Sequence, residues 1–426
     1  MSIQPIEAVL LGAGMRGYET FGGYSKAYPH NLRIVGVAES DPLRRERFAH
    51  DYNIPKENVF TTWEELLDRP QMAAVLINAT MDRTHFESTM QALGRGYHIL
   101  LEKPMATDPV SCIRLANKVK ESGKVLQLCH SLRYNPFYTS LKRILASGGI
   151  GELVTYQHNE HIAFWHYAHS FVRGNWSNVS RSSPGLLSKS CHDVDILCWL
   201  LEREPVKVSS FGSQRHFHSG SVDDSIPQRC TDGCPIESDC PFSAIEMYLS
   251  DNIAWPVSTI STDLSYEGRL KALHEGPYGR CVYRCDNDIV DHQVTLFEFE
   301  DGLTVDFQMH GHSHNNIRTM RLSASKATIR GYLEKRELEV NYYRDGRTET
   351  IYTGGLDDLH GGGDTLMIHE FIDLVRAGRP DRVVASAQAA CDSHLLVFAA
   401  ETARNENRVL DFAEYRKQIE KGLSEL

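Results

Sequence analysis

The first forty residues restrict this chain more than any other stretch. An apolar run, Ile6–Leu11, ends at Gly12-Ala13-Gly14-Met15-Arg16-Gly17. Residues 18–28 read as a helix, and a second apolar run, Leu32–Ala38, ends at Glu39. This is the order strand, glycine turn, helix, strand, acid that binds a dinucleotide. Gly12 permits the tight turn, Gly14 lets backbone N–H groups approach a pyrophosphate, and Gly17 lets helix and strand pack closely. Met15 and Arg16, within the turn, are further cofactor candidates, and the amino end of the helix carries partial positive charge toward the phosphates. Glu39 is placed to accept hydrogen bonds from the adenine ribose.

The chain has 426 residues, too many for one ordinary core, so two domains are expected. A net charge of −11 with no basic run argues against nucleic acid and against an anionic membrane surface. No apolar stretch reaches the ~20 residues a membrane span needs, and the M-S-I-Q-P-I-E start has no signal pattern. A cytoplasmic location is expected. In that reducing setting the ten cysteines are thiols or metal ligands rather than disulfides.

Strand and helix patterns continue to alternate after Glu39. Helices are expected over 43–50, from Thr62, over 84–93 and over 109–121; strands over 73–78, 97–101 and 125–129. Such alternation means a doubly wound parallel α/β sheet with its ligand at the strand C-termini. Two of those ends carry polar groups, Asn78-Ala-Thr80 and Glu102-Lys103-Pro104.

Gly12–Gly17, the run Asn78-Ala-Thr80-Met-Asp-Arg-Thr-His85 and above all Glu102-Lys103-Pro104 resemble the Gfo/Idh/MocA family of NAD(P)-dependent oxidoreductases. The resemblance implies a Rossmann domain over 1–130. It also implies an α+β substrate domain over 131–426 with a large, open, mostly antiparallel sheet. It places Asn78, Thr80, His85 and Glu102 around the cofactor and Lys103 beside the nicotinamide, where its ammonium would stabilise alkoxide charge. In several relatives the Lys-Pro bond is cis. NAD is favoured because Glu39 repels a 2′-phosphate; Arg44 and Arg45 leave NADP as the alternative.

From Ser131 the pattern changes to a helix over 135–147, a strand over 152–161 and an aromatic, histidine-rich loop over 161–176. Trp165, His166, Arg173 and Trp176 are candidate pocket residues, because ring faces suit sugar C–H groups and polar tips suit hydroxyls. The competing reading puts these aromatics in the core. Residues 184–200 read as one helix. The family carries an Asp here and a His four residues later; this chain has Ser188 and His192. His192 is the expected general base, since an imidazole titrates near ~6.5; a helix-capping role is the alternative. Lys189, Asp193 and Asp195 are candidates to replace the missing acid, with Lys189 and Asp193 placed toward substrate.

Cys230-x3-Cys234-x5-Cys240 and, forty-one residues on, Cys281-x3-Cys285 lie in a polar segment, 213–291, that reads as an insertion. A structural zinc site leads, using Cys230, Cys234, Cys240 and Cys285 with Cys281 as the alternative fourth ligand. Free thiols and an iron–sulfur cluster remain open. Alternating runs over 292–300, 303–311, 318–323, 327–332, 337–342 and 348–352 are sheet strands. Among them His310, His312 and His314 share a face, a weak metal pattern. In relatives the outer sheet face often joins subunits, so a homo-oligomer (dimer or tetramer) is expected. Helices are expected over 364–377 and 386–405.

The resulting expectation is an NAD-linked oxidation of a secondary hydroxyl on a carbohydrate or polyol. A second reaction class, glycoside cleavage by transient oxidation and elimination, uses the same parts. A non-catalytic NAD-binding sensor is the third reading.

Overall fold

The computed structural model describes residues 4–355 and 361–424. Six parallel strands form the first sheet: β1 (Ile6–Leu11), β2 (Leu32–Ala38), β3 (Val59–Phe60), β4 (Val75–Asn78), β5 (His98–Leu101) and β6 (Leu126–Leu128), in the order β3-β2-β1-β4-β5-β6. β1 and β4 are nearly unbroken apolar runs because helices cover both their faces. The order reverses between them, and that switch point is where a doubly wound sheet binds its ligand.

The helices start where their caps dictate. Asp41 accepts Arg44 N–H at 2.9 Å to open Pro42–Asp51, and Asp108 accepts Ser111 N–H at 2.8 Å to open Pro109–Ser122. Thr62 caps Trp63–Leu67, but the Glu65 carboxylate reaches Thr61 N–H at 2.9 Å, one residue before the cap. The first helix begins at Arg16, earlier than expected. Its opening turns, Arg16–Gly22, are wide before α-helix resumes over Gly23–Ala27.

Nine strands make the second sheet: β7 (Leu153–Ala163), β8 (Lys207–Ser213), β9 (His292–Glu298), β10 (Thr304–Ser313), β11 (Ile317–Ala324), β12 (Ala327–Tyr332), β13 (Glu337–Tyr342), β14 (Thr348–Tyr352) and β15 (Leu410–Asp411). Their order is β14-β13-β12-β11-β7-β10-β9-β8-β15; only β7 and β10 run parallel, and the other neighbours are antiparallel. β7 therefore sits mid-sheet although it comes first in sequence. Its alternation turns Tyr156, His158, Glu160 and Ile162 inward. β8 and β15 escape sequence reading, the one because Ser and Gly dilute its pattern, the other because it is two residues long.

Two local readings change. Residues 161–176 are not a loop: β7 runs into a helix, Phe164–Tyr167, and wide helical turns, Ala168–Arg173, in which Tyr167 stacks on Phe171 at 5.2 Å. Residues 184–200 are two helices, Gly185–Ser188 and Cys191–Leu201, broken at Lys189-Ser190.

Helix Ala387–Glu406 packs against Pro109–Ser122, Cys191–Leu201 and β8, and it is buried almost all round. One apolar core thus runs through both halves, from Val9 and Leu101 to Ile162, Leu322 and Leu396. Segment 213–291 connects the hairpin partners β8 and β9 and carries a small core of its own around Ala244, Tyr248 and Leu273. No described helix is long and apolar enough to cross a membrane.

Candidate active site

The glycine turn lies at the β1/β4 switch point. Gly12 has φ +85°, and a Cβ there would sit 2.5 Å from Ala79 O; a Cβ on Gly17 would sit 2.0 Å from Gly12 O. Those two glycines are required by the chain itself. A Cβ on Gly14 meets nothing within 4 Å, so Gly14 faces open space at the helix entrance, as a pyrophosphate cradle requires. Glu39 is only 8% exposed and accepts Ala13 N–H at 2.6 Å and Asp41 N–H at 2.9 Å, which fixes its carboxylate beside that cradle. Arg45 is turned away, donating to Glu39 O and Ser40 O.

Most of the remaining expected cofactor residues shape this cradle. Asn78 donates to Ser88 and Thr89 and accepts from Thr80 Oγ1 at 2.8 Å, holding the turn after β4. His85 bridges Thr80 O and Pro104 O at 3.0 and 2.6 Å, joining the ends of β4 and β5. Arg16 spans Glu102 at 2.6 Å and Asp364 with two bonds of 2.9 Å. Burial alone would lower the Arg16 guanidinium, but Asp364 and Glu102 raise it well above its usual value. Arg16 and Glu102 therefore brace the glycine turn against β5 and helix Gly363–Ala377.

Lys103 follows Glu102 directly, and its bond to Pro104 is cis. Its Nζ donates to Ser188 O at 2.5 Å, so it reaches the break between the two helices of 185–201. His192 stands one helical turn beyond Ser188, 6% exposed, on the first turn of Cys191–Leu201. The Ser188 hydroxyl bonds back to Pro184 O at 3.2 Å, so it takes over nothing from the family's aspartate. Lys189 Nζ lies 3.1 Å from Glu160 Oε1, with 17% of its side chain exposed. Burial lowers the Lys189 amine and Glu160 only partly opposes this.

Asp193 is fully buried and paired with His158 at 2.9 Å and Arg318 at 2.7 Å. Burial would raise its carboxyl, yet Arg318 and His158 hold it well below the usual range. Asp195 takes a bidentate Arg133 at 2.7 Å and lies 3.5 Å from His130 Nε2. The His130 ring meets His192 edge-on at 5.5 Å and His394 at 5.7 Å, so His130 links Asp195 to His192.

Burial pushes His130 down to about 4, and His394 and His169 down to about 3. Unfolded imidazoles titrate near ~6.5, so the unfolded chain binds more protons below that pH and the folded state loses stability. This contribution is complete above pH ~6.5 and fades toward pH ~4, whereas the depressed carboxylates act lower still. Calorimetry is expected to give a lower Tm at pH ~5 than at pH ~7.5; equal values would contradict these buried neutral histidines.

The aromatic candidates divide. Trp165 packs on Trp255 at 5.3 Å, and His166 bonds Asn316 at 2.9 Å beside Trp255. Burial pushes His166 well below the usual imidazole range, and Lys189 adds to this. Trp176 donates to Asp82 at 3.0 Å, clasping the turn after β4. Arg173 is a correction: it is 1% exposed and turned into the cysteine segment, where it donates to Arg280 O, Phe242 O and Cys230 Sγ.

Cys230, Cys234, Cys240 and Cys281 line one small cavity. The favoured fourth ligand, Cys285, does not line this cavity and donates to Cys281 O at 3.3 Å. Among the described residues no three Cys, His, Asp or Glu side chains already stand at metal-ligand spacing, and this covers the His310, His312 and His314 pattern as well. His310 stacks near His161 at 4.3 Å, while His314 lies past the end of β10.

Sequence reading missed Glu160, Arg318, His158, His130 and Asp82. The first and third were legible, because strict alternation along β7 puts His158 and Glu160 on the face of Tyr156 and Ile162. Arg318 was not, since β11 reaches β7 only through the sheet order.

Residues 6–130 match the model of an oxidoreductase family described as an NAD-binding Rossmann fold, and residues 142–409 match that family's C-terminal alpha/beta domain. YteT of Bacillus subtilis (strain 168) is 24% identical over 416 residues, covering 90% of this chain and 92% of that protein. The scyllo-inositol 2-dehydrogenase (NAD(+)) of the same organism is 27% identical over 215 residues, 49% of this chain and 57% of that enzyme. Levoglucosan dehydrogenase, solved with NADH and levoglucosan, shares the fold with a TM-score of 0.71 at 19% identity, covering 96% of this chain and 100% of that one. With both domain models matched across most of its length, the chain belongs to the Gfo/Idh/MocA family of oxidoreductases.

Proposed function

We propose that this oxidoreductase converts a secondary hydroxyl of a sugar, inositol or glycoside to a ketone, with Lys103 and His192 as its catalytic residues and NAD as its cofactor. The observation that carries the reading is the meeting of Lys103 Nζ with the Ser188–His192 turn, beside the open glycine cradle. NAD, when bound, supplies the hydride acceptor for the carbinol hydrogen. His192 takes the hydroxyl proton. Lys103, whose ammonium donates to the Ser188 carbonyl, stabilises the charge that builds on the oxygen. Trp165, His166 and Trp255 supply a ring-lined wall suited to a sugar C–H face. The polyol substrates named for the inositol and levoglucosan dehydrogenases support the same substrate class.

Glu39 sets the cofactor preference. Glu39→Ala is expected to weaken NAD binding by about 10- to 100-fold, the worth of charge-assisted hydrogen bonds, and to raise relative affinity for NADP. Fluorescence titration with both reduced cofactors checks this, and an unchanged NAD Kd would remove Glu39 from the ribose site.

Lys189 favours the oxidation–elimination reading as a second possibility. Elimination needs a base for the acidified C–H beside that for the hydroxyl, and Lys189 is a buried amine with a lowered proton affinity, on the helix break next to Lys103's contact. The test runs inositols, free sugars, anhydrosugars and aryl glycosides with NAD, following NADH and liberated aglycone together. NADH growth supports the dehydrogenase; aglycone release without NADH supports elimination. We also assign the outer face of the second sheet, where Phe211 and Leu296 are 58% and 45% exposed on adjacent strands, to a homo-oligomer interface.

A further inference from the structure

We infer that segment 213–291 carries a structural site for a single zinc-type ion, held by Cys230, Cys234, Cys240 and Cys281. The two halves of the cysteine pattern are joined by backbone. Cys230 N–H donates to Gly279 O and Cys281 N–H donates to Gln228 O, both at 2.9 Å, in an antiparallel pairing through Arg229 and Arg280. That pairing sets Cys230 opposite Gly279 and Cys281 opposite Gln228, so the two cysteines lie diagonally on one face, with Cys285 one turn further on and bonded to a carbonyl. The four thiols share a cavity of ≈ 10 Å³, about the space one water-sized particle needs. It suits one ion and is too small for a cubane cluster.

Charge points the same way. Arg173 lines this cavity, is 1% exposed, and among the described residues has no carboxylate at ion-pair distance. Its Nη2 touches Cys230 Sγ at 3.6 Å and its Nη1 has no hydrogen-bond partner. An isolated buried cation costs several kcal/mol, which a negative ligand set offsets. Four thiolates around a divalent ion carry two negative charges, the complement this guanidinium lacks. Glu237 reaches the rim, where it accepts Ser243 Oγ.

The thiols are not yet at ligand spacing. A χ1 change between staggered wells moves a cysteine sulfur on the order of 3 Å, so side-chain rotation is the motion that draws the thiols together.

The test is elemental analysis of the full chain, expressed with zinc and purified without chelator. One zinc per chain is expected, retained in Cys285→Ser and lost in Cys281→Ser and Cys234→Ser. Should the latter two fail to fold, mercurial titration of the unaltered protein reads the same point: zinc is released as thiols are consumed. Replacement by cobalt is expected to give thiolate-to-metal charge-transfer bands in the near ultraviolet. Three results overturn the assignment: no bound metal with no cobalt uptake, iron with acid-labile sulfide, or loss of zinc in Cys285→Ser with retention in Cys281→Ser.

Discussion

Lys103→Met is expected to lower kcat/KM by about 10³-fold, some 4 kcal/mol of transition-state stabilisation, while the NADH dissociation constant stays within a few-fold. Glu102 and Arg16 fix the end of β5, and the Lys103 ammonium spans to Ser188 O on the opposite domain. Methionine keeps the length and loses the charge, so binding of the cofactor through the glycine turn is untouched. Lys103→Arg is not expected to rescue, because a planar guanidinium cannot occupy the place of a compact ammonium. Steady-state rates and NADH fluorescence together make the check. A Lys103→Met enzyme within tenfold of the original would show that this ammonium does not meet the reacting oxygen.

His192→Asn is expected to cost about 10²- to 10⁴-fold in kcat and to remove the acid limb of the kcat–pH profile. The base works while neutral, so activity of the unaltered enzyme falls as pH drops below the imidazole's titration; without His192 that limb vanishes, and hydroxide restores part of the rate at high pH. The His130 ring behind it is pushed down to about 4 and so stays neutral through this range. An unaltered acid limb in His192→Asn would move the general-base role to another group, with Lys189 the first to examine.

The nucleotide half was legible because its signals are local. Glycine spacing, a terminal acid, caps at Asp41 and Asp108 and solid apolar strands each reflect interactions within one βα unit. The catalytic half was legible only in part. Lys103 and His192 stood out through a family resemblance, not through periodicity. The wall behind them depends on long-range sheet order: Glu160 and His158 on β7 meet Arg318 on β11 and Asp193 on a helix, with Lys189 closing the set. No spacing announces that four elements will converge. Arg173 and Arg318 illustrate the difficulty. Nothing in their neighbours in sequence tells them apart, yet one turns to the cysteines and the other to the Glu160–Asp193 cluster. For the cysteines, spacing alone does not show that Cys230 bonds to Gly279 and Cys281 to Gln228, which joins the two halves of the pattern.

The most direct test of the account follows the hydrogen itself. The protein is incubated with NADH deuterated at nicotinamide C4 and a panel of keto-sugars and inososes, and the products are read by mass spectrometry. The account predicts one deuterium on the new carbinol carbon of at least one panel member, and no label at that carbon from deuterated solvent. Tight NADH binding with the deuterium retained in the cofactor across the whole panel would contradict it.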